Sequence, residues 1–85
     1  MSIRILYFAR LREEMGIAQE MFEPPAAVSD VKSLRAQLAA RGGASAVALA
    51  PGKAVRCSVN QDIARENTPV KAGDEIAFFP PVTGG

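Results

Sequence analysis

Ser29-Asp30-Val31-Lys32-Ser33-Leu34-Arg35-Ala36-Gln37-Leu38-Ala39-Ala40-Arg41-Gly42-Gly43 decides the fold. Val31, Leu34, Leu38 and Ala39 recur at helical spacing and give one apolar face. Ser29 or Asp30 can cap the helix start with a side-chain oxygen. Gly42-Gly43 is expected to end it, because glycine takes the left-handed conformation common just past a helix end. This is the one long helix in the chain; everything around it reads as strand, turn or short helical segment.

Working towards the N-terminus, residues 2–9 are rich in β-branched and aromatic side chains and read as a first strand. Arg10 to Met15 is a polar, helix-compatible turn stopped by Gly16. Residues 17–23 read as a second strand paired with the first as a hairpin, ended by Pro24-Pro25, since proline cannot donate to a ladder. Towards the C-terminus, the alanine-rich residues 44–50 read as one or two helical turns closed by Pro51-Gly52. In residues 54–59, Val55, Cys57 and Val59 alternate with Arg56 and Ser58, as in a half-buried strand. Asn60-Gln61 is a turn before a brief strand through Ile63, residues 69–74 are another turn, and residues 75–79 are the last strand.

The order is ββαβ(β)β. A single helix laid across a small mixed sheet is the economical way to cover one face. The expected fold is therefore α+β, a β-grasp (ubiquitin-like) arrangement with four to five strands, one main helix and short helical turns. Residues 1–79 form the domain and residues 80–85 an extended tail.

Eighty-five residues allow only one core. Ten basic residues against nine acidic ones leave a net charge of +1, and no basic run accumulates, so neither nucleic acid nor an anionic membrane is an expected partner. No apolar stretch is long enough to span a bilayer, and the N-terminus lacks a basic region followed by an apolar one; the expected location is cytoplasmic. Histidine is absent and Cys57 is the single cysteine, which excludes a His-based triad, an internal disulfide and a zinc site built from Cys and His. Side chains therefore offer little chemistry.

The chain ends Phe78-Phe79-Pro80-Pro81-Val82-Thr83-Gly84-Gly85. At about 3.3–3.6 Å per residue, the tail beyond Phe79 reaches roughly 20 Å. Pro80-Pro81 favours an extended polyproline conformation, and the β-branched Val82 and Thr83 also favour extension. Gly84 and Gly85 carry no side chain and can pass through a narrow channel. A stiff stalk with a thin tip suits delivery of a C-terminal carboxylate into another protein's active site. That carboxylate, with an ordinary pKa of about 3.3–3.7, is ionised and a poor electrophile at neutral pH, so it needs activation. Adenylation by ATP followed by sulfur transfer would yield a thiocarboxylate. A frayed terminus is the plain alternative for a Gly-Gly end.

Tyr7-Phe8-Ala9 with Arg12-Glu13, then Val59-Asn60, Gly73-Asp74-Glu75-Ile76-Ala77-Phe78-Phe79 and the closing Pro80-Pro81-Val82-Thr83-Gly84-Gly85 resemble the molybdopterin synthase small subunits. The resemblance spans the whole chain, and the closing run is its most specific part. It implies a sulfur carrier rather than an enzyme in its own right. A ubiquitin-activating-like adenylyltransferase would use ATP to activate Gly85, which would become the thiocarboxylate; no cofactor would be bound permanently. The tail would enter the synthase large subunit, which holds the catalytic side chains, and give sulfur to cyclic pyranopterin monophosphate. The implied assembly is a heterotetramer with two copies of each subunit. Thiamine-type sulfur carriers share the fold and the Gly-Gly end but lack the double-proline stalk, and a ubiquitin-like modifier that becomes bonded to lysines also begins with adenylation.

Strand alternation gives a separate reason to expect a partner. Ile3, Ile5, Tyr7, Ile76 and Phe78 are assigned to the core beneath the helix. Leu6, Phe8, Ala77 and Phe79 then lie on the open face, rimmed by Arg4 and Glu75. Such a patch marks an interface, unless the short helical segments fold over it. Ile63 extends it, and the resemblance places Phe8, Ile63 and Phe79 against the large subunit. Cys57 alternates inward and reads as a small inert hydrophobe. Arg12-Glu13 reads as a solvated turn or a local ion pair.

Overall fold

The computed structural model describes residues 2–81. Its elements run β1 (Ile3–Tyr7), α1 (Arg10–Met15), β2 (Gln19–Phe22), α2 (Val31–Ala39), α3 (Gly43–Ala48), β3 (Arg56–Val59), β4 (Asp62–Ile63) and β5 (Glu75–Phe79). The five strands form one mixed sheet in the order β2-β1-β5-β3-β4. The central pair β1–β5 is parallel and every other pair is antiparallel. This is the β-grasp arrangement that the element order predicts.

The long helix begins at Asp30, whose carboxylate accepts the Ser33 backbone N–H at 2.8 Å while the Ser33 hydroxyl accepts the Asp30 backbone N–H at 3.1 Å. Two of the otherwise unpaired donors of the first turn are thus satisfied reciprocally. The helix end differs from the sequence reading. Helix α2 stops at Ala39, with Ala40 still right-handed. Gly42 (φ 80°) and Gly43 (φ 59°) do take positive φ, but Gly42 is the N-cap of α3 and Gly43 its first residue. The glycines turn the chain into the next helix rather than closing the previous one. The segment 69–74 is also more than a turn. Pro69 bridges to Asp30, Val70 donates to the Ser29 carbonyl at 3.0 Å, and Val70 is buried.

One core lies between the sheet and the three helices. Ile3, Ile5, Tyr7, Ile76 and Phe78 are all buried, as alternation predicts, and meet Val31, Leu34 and Leu38 of α2. Leu11 from α1, Ala48 from α3 and Leu49 join the same cluster, so the short helices pack on the α2 side and not over the opposite face. The Tyr7 and Phe78 rings stack with centroids 6.3 Å apart. Among the described residues no helix is long and apolar enough to cross a membrane.

At the far edge, β3 returns to β4 through Asn60 (φ 50°) and Gln61 (φ 72°). Both central residues are left-handed, the requirement of a two-residue hairpin whose twist matches its strands. Asn60 is fixed there by its neighbours: its side-chain oxygen accepts the Glu75 N–H at 2.9 Å and its amide donates to Asp74 at 3.0 Å.

Candidate functional site

The register sorts the uncovered face into rows. One row runs Gln19, Leu6, Ala77, Ser58, Ile63 across all five strands. Another runs Met21, Arg4, Glu75, with Arg4 and Glu75 4.0 Å apart. In the third, the Phe8 N–H donates to the Phe78 carbonyl at 3.1 Å. That contact continues the β1–β5 register by one residue and sets Phe8 beside Phe79, which is paired with Arg56.

The members of this face differ in what they offer. Phe8 is 49% exposed and Ile63 68%, large values for apolar side chains. Leu6 and Phe79 are half-buried. Ala77 shares the face but is almost fully covered. Its single methyl is too short to rise above Leu6 and Ser58 on either side, so it forms floor rather than contact area. Met21 is also well exposed; alternation in residues 17–23 could have placed it on this face, since it lies opposite Arg4.

Phe79 is the last residue of β5, and Pro80-Pro81 follow it, both partly buried. The apolar strip therefore runs directly to Pro80-Pro81, where the expected tail begins. Val82, Thr83, Gly84 and Gly85, expected to form the tip and the reacting end, lie outside the described residues.

Ala9, between Phe8 and α1, has φ 54° and ψ −133°. This conformation is costly for a residue with a Cβ, and it ends β1 abruptly after the exposed phenylalanine. Arg12 and Glu13 both lie on α1, exposed to solvent. They form no ion pair with each other, so the reading as a solvated segment holds.

Cys57 is buried, and burial pushes its thiol up to about 12. The neutral thiol is a poor nucleophile, and its nearest acceptor, the Ser58 carbonyl, is 3.6 Å away. Nothing at this position equips it to carry sulfur.

Two polar clusters escaped the sequence reading. The Tyr7 hydroxyl donates to Glu20 at 2.7 Å, and Arg41 grips the same carboxylate and donates to Ser45 at 2.9 Å. Asp74 is buried, yet its carboxyl is held below the ordinary value. Desolvation alone would raise it; hydrogen bonds from the Asn60 amide and from the Lys71 side chain and backbone overcome that. The links from Tyr7 and Arg41 to Glu20, and from Asn60 to Asp74, join residues 13 or more apart in sequence and had no local signal; Lys71 and Asp74 are only three residues apart.

Residues 5–85 match the ThiS family. The chain is 42% identical over 83 residues to the molybdopterin synthase sulfur carrier subunit of Escherichia coli, covering 98% of this chain and 99% of that protein. It is 41% identical, with the same coverage, to the protein of that name from Haemophilus influenzae. Among solved structures it resembles a chain in the complex of subunits 1 and 2 of molybdopterin-converting factor from Helicobacter pylori, with a TM-score of 0.65 and 27% identity over the full length of both chains.

Proposed function

This chain belongs to the ThiS family, with the molybdopterin synthase sulfur carrier subunits, and on that premise we propose that it delivers sulfur on Gly85 to the molybdopterin synthase large subunit. The near end-to-end match at 42% identity carries this reading. The apolar strip ending at Phe79 and the proline stalk beyond it support it.

In the proposed cycle, the Gly85 carboxylate attacks the α-phosphorus of ATP on an activating adenylyltransferase and pyrophosphate leaves. Hydrosulfide-level sulfur supplied by a donor then attacks the acyl carbon, AMP leaves with the oxygen, and the thiocarboxylate remains. Phe8, Ile63 and Phe79 seat the domain on the large subunit, with Leu6 and Ala77 beneath them. Pro80, Pro81, Val82 and Thr83 span the distance into its active site, and Gly84 threads the narrowest part. There the thiocarboxylate gives its sulfur to cyclic pyranopterin monophosphate, and water restores the carboxylate. The catalytic side chains belong to the large subunit, the assembly holds two copies of each, and the setting is the cytoplasm.

Intact mass spectrometry after incubation with ATP, an activating enzyme and a sulfur donor tests the proposal. The expected result is a mass gain equal to exchange of one oxygen for sulfur, localised to Gly85. A ladder of lysine conjugates, or no gain, would overturn it.

A further inference from the structure

On the helix side of the sheet, opposite Phe8 and Ile63, a cavity of about 230 Å³ opens between α2 and β3. Its apolar wall sets the small Ala36, Ala39, Val55, Cys57 and Ala64 beside the larger Leu49, Pro51 and Phe78. Ala36 is exposed and Ala39 and Ala64 are half-buried, so the cavity is a cleft that opens to solvent along the edge of α2.

The polar groups at this cavity are unevenly charged. Lys32, Arg35 and Arg56 line it against a single carboxylate, Glu66, three positive charges to one negative. None of the three cations is ion-paired among the described residues. Arg35 is held rigidly: Nε donates to the Leu49 carbonyl at 3.0 Å, and Nη2 donates to the carbonyls of Ala50 and Lys53. Its Nη1 has no hydrogen-bond partner. An immobilised guanidinium with a spare donor, beside an apolar chamber, is the arrangement expected of an orienting group in a ligand pocket. The thiol of Cys57 is neutral and adds no charge to the wall.

We propose that this cavity binds a small carboxylate with a compact apolar body, the hydrocarbon in the alanine-lined chamber and the carboxylate on Arg35, Lys32 and Arg56. Most of the lining is on the helix side of the sheet; Arg56, whose register partner is Phe79, stands at the border between this cavity and the apolar strip.

Titration of the full chain with hexanoate, hexanol and acetate, followed by amide chemical shifts, tests it. Hexanoate should shift Ala36, Ala39, Val55, Cys57 and Ala64 saturably. Hexanol should bind at least about threefold more weakly for want of the charge, and acetate more weakly still for want of apolar area. The double variant Lys32→Gln/Arg56→Gln, which leaves Arg35 in place, should narrow the hexanoate-over-hexanol preference. Ala39→Leu, if folded by its amide spectrum, should abolish binding. Absence of localised shifts with hexanoate on the unaltered chain, equal binding of hexanol, or hexanoate binding by folded Ala39→Leu would each overturn the proposal.

Discussion

Arg41 holds the Glu20 carboxylate at both ends, Nη1 to Oε1 at 2.8 Å and Nη2 to Oε2 at 3.0 Å. The pair joins β2 to the turn after α2, and the same guanidinium lies 5.7 Å from the centre of the Phe22 ring. Glu20 is shielded, at 17% side-chain exposure, while Arg41 is 35% exposed. Arg41→Met should therefore destabilise the domain by about 1–2 kcal/mol, less than a fully buried pair because solvent screens one partner. Urea unfolding checks this, and a change within error would show the bridge to be idle.

The same cluster fixes the response to pH at both extremes. Arg41 first, then the Tyr7 hydroxyl, holds Glu20 below its ordinary value of 4.5 despite partial burial. The folded carboxylate then keeps its charge where the unfolded one takes up a proton. The stability it contributes is present in full above pH 4.5 and drains away as the pH falls through the lower folded value. Tyr7 goes the other way: burial first, then the Glu20 carboxylate, raises it above its ordinary value of 10.0. Its contribution is full below pH 10 and is lost as the pH climbs past that value. Thermal melts across pH should show Glu20→Gln flattening the acid limb and Tyr7→Phe flattening the alkaline limb; limbs unchanged in the variants would assign the titrations elsewhere.

Gln61 sits at φ 72° in the β3–β4 turn, where glycine carries no Cβ penalty. Gln61→Gly should stabilise by about 0.5–1 kcal/mol, and Gln61→Val should destabilise by at least as much. At roughly 4–8 °C per kcal/mol for a domain of this size, calorimetry resolves both.

Asp74 is buried and accepts hydrogen bonds from Asn60 and Lys71. Asp74→Ala strands those donors and should cost about 2 kcal/mol. Asn60→Ala in the same background should cost less than it does alone, since its bond to Asp74 is already gone and only its bond to the Glu75 N–H remains to lose. A double-mutant cycle measures the coupling, and strict additivity would refute it.

Phe8 is half-exposed and is not among the buried core residues. Phe8→Asp should leave the melting temperature within a few degrees while weakening binding to the large subunit at least about tenfold, as loss of an aromatic anchor does. Calorimetric titration with that subunit checks it, and undiminished affinity would remove Phe8 from the interface.

The chain by itself determined the β-grasp order, the apolar stripe of α2, the inward set Ile3, Ile5, Tyr7, Ile76 and Phe78, and the Asn60-Gln61 turn. Each follows from a local regularity: the helical period, the two-residue period of a strand, or the backbone demands of a turn. Tertiary structure alone decided the rest. Gly42 and Gly43 start α3 because docking of that helix, not propensity, fixes where the chain reverses. Ala77 became floor because burial depends on neighbours three strands wide. The Tyr7–Glu20–Arg41 cluster, the Asn60–Asp74 bond and the cavity beside Arg35 exist only once distant segments meet; no spacing along the chain encodes a distance between residues that folding brings together.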